Sequence, residues 1–179
     1  MSSSTSAWIS PTDISQYIRL DQCRRYLRLR LHERSEGREF LTSYGVYPQE
    51  IPPLLTRSGS DFEREIEGAV RGALPTRNFA DEARNRDQRP ANNAELLSVA
   101  RDLASGETVC LFQTRLVVDL AGWRVRGDAD IVRLSRAEDG TLDVLVADMK
   151  SSRAARVEYY LQVAFYHAMI EEVFRQAQA

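Results

Sequence analysis

Apolar positions recur along this chain with two different periods. From Ser10 the spacing is helical: Ile14, Tyr17, Ile18, Tyr26, Leu27, Leu29 and Leu31 cover a broad face and arginines take the rest, which predicts a helix to about Glu33. Its start is written in Ser10-Pro11-Thr12-Asp13, where Ser10 caps, Pro11 fits the first turn and Asp13 closes a capping box. Residues 35–58, with Gly37, Gly45, Pro48, Pro52 and Pro53, show no period and read as a long irregular connection. A second helix is expected from Gly59 to about Ala73, with Phe62, Ile66 and Val70 at four-residue steps and Glu63 one position from that stripe. Residues 75–92 are polar and arginine-rich, after which Asn93 caps a short helix through Leu103 that Gly106 ends.

The period then shortens. Thr108–Leu120, Trp123–Leu134 and Leu142–Asp148 are rich in valine and leucine and separated by the turn-like Ala-Gly and Glu-Asp-Gly-Thr, which predicts a meander of adjacent antiparallel strands. A last helix, about Ala154 to Gln176, carries Tyr160, Leu161, Ala164, Phe165, Ala168, Met169 and Val173. The expected class is α/β: a helix, a three-stranded meander and a helix, with extra helical material in front and residues 1–9 as a disordered polar tail.

Composition narrows this picture. At 179 residues and 43% hydrophobic content, one domain with a real core is expected, over residues 10–179. A formal net charge of −2 excludes a generally basic nucleic-acid coat, although Arg24, Arg25, Arg28 and Arg30 remain as a local cluster for phosphate contacts. No apolar run approaches the ~18 residues that span a bilayer, and the first seven residues lack the pattern of a secretory signal, so no membrane and a cytoplasmic location are expected. Cys23 and Cys110 form neither a disulfide framework nor a complete metal cage.

The chemistry gathers at the ends of the strands. Lys150 is the single lysine among 24 lysines and arginines, and it stands in Val146-Ala147-Asp148-Met149-Lys150 after an apolar run. Asp130 lies in Gly127-Asp128-Ala129-Asp130 on the preceding strand. Carboxylates on core-type strands are costly to bury unless paired, protonated or bound to a cation, so two of them on neighbouring strands ask for a shared one. Hard oxygen ligands suit magnesium or manganese, whose bound water is acidified for phosphodiester hydrolysis. Lysine, a compact charge whose pKa can fall, suits contact with that water better than arginine. Alone, Asp-x-Lys reads equally as a solvated strand end.

Further residues complete an ordered set. Gly59-Ser60-Asp61-Phe62-Glu63, then Gly127-Asp128-Ala129-Asp130, then Asp148-Met149-Lys150, then Gln162 with Tyr166 four residues on, form G-x-x-F-E, G-x-x-D, D-x-K and Q-x-x-x-Y. Over about Ser10 to Phe174 this resembles the PD-(D/E)XK nuclease superfamily and, within it, the RecB-like branch that includes the CRISPR-associated iron-sulfur exonucleases. The resemblance implies a restriction-endonuclease-like core and a magnesium- or manganese-dependent DNA nuclease, an exonuclease acting on single strands or duplex ends, of the kind found in DNA repair. It implies Asp130, Asp148, the Met149 backbone carbonyl and Glu63 as metal ligands, and Lys150 as the catalytic lysine. Gln162 and Tyr166 are implied as supports for the site and the DNA backbone. Asp128, two residues before Asp130, is read as a flanking or outward residue.

In the iron-sulfur relatives the first cluster cysteine lies in a segment resembling Tyr17 to Leu27, which would be Cys23 here; their other three follow the Q-x-x-x-Y helix. Four thiols hold such a cluster, so none is expected within these residues: either the chain is the N-terminal part of a longer protein, joined to a helicase or further nuclease domain, or Cys23 is a buried helix residue. His167 could border the site or be a satisfied helix histidine, and Cys110 reads as core. The rival readings are a catalytically silent nuclease-fold module that binds nucleic acid or a partner protein, and a purely structural α/β domain.

Overall fold

The computed structural model of the protein describes residues 8–45, 47, 53–81, 88–152 and 154–178. The elements are β1 (Trp8–Ile9), α1 (Pro11–Arg19), α2 (Arg24–Glu36), α3 (Arg38–Ser43), α4 (Pro53–Ala73), β2 (Thr76–Asn78), α5 (Asn93–Asp102), β3 (Thr108–Leu120), β4 (Trp123–Arg136), β5 (Leu142–Ala147) and α6 (Val157–Gln178). Among the described residues the protein is a mixed α/β structure with a five-stranded sheet and six helices. None of those helices is long and apolar enough to cross a membrane.

The sheet is built on the expected meander. β3 and β4 pair antiparallel from Thr108↔Ser135 to Leu120↔Trp123, and β5 continues along β4 from Ile131↔Ala147 to Arg136↔Leu142. Ala121 and Gly122 join β3 to β4 with φ values of 49° and 80°, the pair of positive angles that a two-residue hairpin turn matched to strand twist requires. β2 lies parallel on the far edge of β3 at Cys110–Phe112. Beyond it that edge is closed by side chains: Asn92 Oδ1 accepts from the Arg115 N–H at 3.0 Å, and the Asn93 amide bonds both the N–H and the carbonyl of Val117.

Apolar packing covers both faces. Leu111, Leu116, Val118, Val125, Ala129, Val132 and Leu134 pack with Leu96 and Ala100 of α5 and with Met169, Ile170 and Val173 of α6. On the other face Cys110, Phe112, Ile131 and Met149 meet the α4 stripe Phe62, Ile66, Val70. The stripe is the one expected from its spacing, and Cys110 is a core residue. The two clusters reveal a departure from strict strand alternation: Ala129 and Ile131 are two residues apart yet pack into different clusters. The switch falls at the Gln113 and Asp130 positions, where Gln113 has φ 53°.

Several boundaries differ from the sequence expectation. The capping box forms as read, with Asp13 N–H donating to Ser10 Oγ at 3.1 Å and Asp13 Oδ2 accepting from Ser10 N–H at 2.7 Å. The single helix expected to reach Glu33 is instead two, broken at residues 20–23, where Asp21 and Gln22 turn left-handed (φ 51° and 59°). The turn returns α2 to α1, placing Arg34 Nη1 2.6 Å and Arg30 Nε 3.6 Å from the buried Asp13 carboxylate. The irregular connection holds α3, and α4 begins at Pro53 rather than Gly59. The expected tail contributes β1, since Trp8 and Ile9 pair parallel with Arg124 and Val125, while residues 1–7 lie outside the described ones. The polar run 75–92 holds β2, Asn92 rather than Asn93 is the N-cap of α5, and α6 starts at Val157.

One close approach positions the site. A Cβ on Gly127 would stand 2.7 Å from Tyr166 Cε1 and 2.8 Å from Pro11 Cδ, two ring atoms with little freedom to yield. Gly127→Ala is expected to cost about 1–3 kcal/mol in chemical denaturation through this overpacking. An unchanged midpoint would mean that α1 and α6 are free to shift away from β4.

Candidate active site

The outer edge of β4 is shared end to end. β1 pairs with Arg124 and Val125, and β5 pairs from Ile131 onward, so among the described residues 126–130 have no strand partner on that side. Asp128 and Asp130 lie in this open stretch. β5 stops at Ala147, and the next N–H that reaches β4, that of Met149, donates to Asp130 Oδ2 at 2.8 Å. This departure from the ladder brings Asp148 beside Asp130, near enough for its negative charge to act on the Asp130 carboxyl. The Met149 side chain points away and packs against the α4 side of the sheet.

Lys150 Nζ stands 2.8 Å from Asp148 Oδ2 and 6.0 Å from the Tyr159 ring centre. The lysine side chain is 34% exposed and that of Asp148 only 4%, so the ammonium forms the wet side of a nearly dry carboxylate pair. Gln162 Nε2 donates to Asp148 Oδ1 at 3.3 Å. Asp148 Oδ2 is buried and, among the described residues, has the ammonium's charge but no aligned hydrogen-bond donor. Burial pushes the Asp130 carboxyl up to about 7; the Met149 N–H favours its ionised form, but the negative charge of Asp148 adds to the rise.

Gln162 and Tyr166 sit at the site end of the buried face of α6, two turns and one turn respectively before Met169 and Ile170. The Tyr166 hydroxyl donates to the Asp128 carbonyl at 2.8 Å, filling one acceptor of the open β4 edge while its ring packs in the core. Burial, then the charge of Asp130, raises its phenol above the ordinary range, so it acts as a fixed donor. Tyr166 thus serves the core and the site together, where the sequence reading treated its motif as a site feature.

Asp130, Asp148, Lys150, Gln162 and Tyr166 line one cleft of about 770 Å³, together with Glu63 from α4, Arg30 and Arg34 from α2, and Trp8. Glu63 shares the cleft without completing a ligand cage: among the described residues no three His, Cys, Asp or Glu side chains come close enough to hold one ion. No family model, curated protein or solved structure matches this chain.

Asp128 is neither outward nor merely flanking. Arg115 grips it at both oxygens, at 2.7 and 2.9 Å, and Arg89 Nη2 adds an ion pair at 2.9 Å. Burial works to raise the Asp128 carboxyl, but the two guanidiniums outweigh it and hold the group below the usual range. The carboxylates two residues apart are therefore separated in role by their surroundings, Asp128 ionised in an arginine clamp and Asp130 beside Asp148. The sequence reading missed Gln113, Arg115 and Arg89. A signal was present: Gln113-Thr114-Arg115 interrupts an otherwise apolar strand, and all three are buried.

The remaining candidates lie elsewhere. His167 pairs with Glu171 at 3.7 Å and lines a separate groove. His32 bonds Glu36 at 2.6 Å on α2. Cys23 is a half-buried N-cap at the break between α1 and α2, not an interior helix residue. Arg34 is also tied down, donating to the Trp8 carbonyl at 2.9 Å and lying 3.8 Å over its ring.

Proposed function

We propose that this chain is a divalent-metal-dependent DNA nuclease of the PD-(D/E)XK superfamily, RecB-like branch, with α4, the β3–β5 meander and α6 as its restriction-endonuclease-like core. The observation that carries the reading is the Asp130–Asp148 pair. Two neighbouring carboxylates, one with a buried oxygen lacking an aligned donor, are an unstable arrangement without a proton or a cation between them. Their all-oxygen chemistry fits magnesium or manganese, which Asp130 and Asp148 would hold together with the Met149 carbonyl and Glu63.

A cation held there would acidify a bound water and offset charge on the phosphoryl group. The chain's own residues divide the remaining work. Asp130 and Asp148 bind, Gln162 fixes the Asp148 carboxylate, and the Lys150 ammonium orients the attacking water, whose proton passes to solvent, and donates a proton to the leaving oxygen as the phosphorus–oxygen bond to the leaving strand breaks. Arg30, Arg34 and Trp8 line the cleft along the strand's approach.

The test is incubation of the protein with end-labelled single- and double-stranded DNA in manganese, magnesium or chelator. Cleavage in either metal and none in chelator is the expected result. The silent-module reading draws on one observation, the missing third side-chain ligand among the described residues. DNA binding without cleavage in either metal would favour it.

A further inference from the structure

β3 and β4 lose their regular ladder at one position. The flanking pairs Phe112↔Ile131 and Thr114↔Ala129 keep register, so Gln113 stands opposite Asp130, yet the two are not ladder partners. Gln113 has φ 53°, a left-handed backbone that costs a side-chain-bearing residue about 1–2 kcal/mol and persists only where surrounding contacts impose it. Arg89 supplies one such contact. Its side chain is 1% exposed, pairs with Asp128, and donates from Nη1 to the Gln113 carbonyl at 2.8 Å.

The second contact is made by the Gln113 side chain, whose Nε2 donates to Asp130 Oδ1 at 3.1 Å. The other Asp130 oxygen accepts from the Met149 N–H at 2.8 Å. Each oxygen thus carries one fixed donor and keeps a lone pair, so the plane of the carboxylate is set from both sides. A regular strand would give Gln113 another orientation; the left-handed backbone aims its amide at Asp130.

We propose that Gln113 is a positioning residue of the metal site: held left-handed by Arg89, it donates to Asp130 Oδ1 and turns the carboxylate's remaining lone pairs toward the cation. This rests on the nuclease reading for its consequence in catalysis, though not for its consequence in metal binding. Outer donors of this kind contribute roughly 10–100-fold to metal affinity when the ligand they orient is otherwise free to rotate.

The test uses the full chain and Mn²⁺ binding followed by electron paramagnetic resonance, with circular dichroism as the check of fold. Gln113→Asn tolerates the left-handed backbone but withdraws the donor by one methylene, and Gln113→Leu removes it. Both are expected to raise the Mn²⁺ dissociation constant about 10–100-fold, and saturating metal is expected to restore most of kcat. Affinities equal to wild type in both variants overturn the proposal while leaving the nuclease reading in place, as does a lowered Tm with unaltered Mn²⁺ binding. Wild-type protein that binds Mn²⁺ but cuts no DNA removes the nuclease reading, and weaker binding by the variants then still supports the positioning role. Wild-type protein that binds no Mn²⁺ overturns both.

Discussion

Lys150→Arg is expected to lower DNA cleavage by roughly 10²- to 10⁴-fold, the usual contribution of a positioned proton-transfer group, while Mn²⁺ binding and DNA binding persist. The lysine's compact ammonium reaches Asp148 Oδ2 at 2.8 Å from a side chain that is still one-third exposed, so it can meet both the carboxylate and a water. Arginine keeps the charge and changes everything else. Its guanidinium is planar, favours a two-pronged grip on Asp148, and does not release or accept a proton in the working range. The chain uses arginine at all its other basic positions, so a role satisfied by charge alone would not single out this one. Lys150→Ala is expected to be equally inactive, since it removes the ammonium that meets Asp148 and the water. Single-turnover cleavage, with metal and DNA affinities measured separately, makes the comparison. Cleavage by Lys150→Arg within a few-fold of wild type would reduce Lys150 to a positive charge and remove its part in proton transfer.

How much of this was readable beforehand depended on the distance over which each feature is determined. The Ser10–Asp13 capping box, the Ala121-Gly122 hairpin and the Phe62, Ile66, Val70 stripe are set by residues within a turn or two of each other, and all appear where the pattern puts them. The break after Arg19 has no glycine or proline to announce it; the chain turns at Asp21 and Gln22 because Arg30 and Arg34 must reach Asp13. β1 and β2 are two and three residues long and become strands only through β4 and β3. At the site, Asp130, Asp148, Lys150, Gln162 and Tyr166 were each visible, since a polar group in an apolar run stands out. Their contacts were not. Asp128 could not be distinguished from Asp130 by alternation, because the difference comes from Arg89, a loop residue far away in sequence, and from a change of face at Gln113 that a strict two-residue period cannot contain.

The Asp130–Asp148 pair makes metal-free stability fall as pH rises, the reverse of a salt-bridged carboxylate. Unfolded, an aspartate titrates near ~3.9. Folded, Asp130 holds its proton to about 7, because burial and the neighbouring charge of Asp148 both oppose its ionisation. Between roughly pH 4 and pH 7 the native state therefore binds more protons than the unfolded state, and the slope of unfolding free energy against pH from this group is negative. Its contribution is fully present below the unfolded value and is lost as pH passes through the folded one, to a total on the order of 4 kcal/mol. The Asp128 carboxyl, held low by Arg115 and Arg89, acts in the opposite sense and only at the acid end, so the two are separable. The expected result is a difference in urea stability between wild type and Asp130→Asn that changes steadily from pH 4.5 to 7.5 in chelator and is flat above. Manganese at pH 7.5 should restore wild-type stability by mass action and leave Asp130→Asn nearly unaffected, because a cation takes the place of the lost proton. A difference that stays constant across the window would mean that Asp130 ionises normally beside Asp148. The unstable carboxylate pair on which the metal site is argued would then not exist.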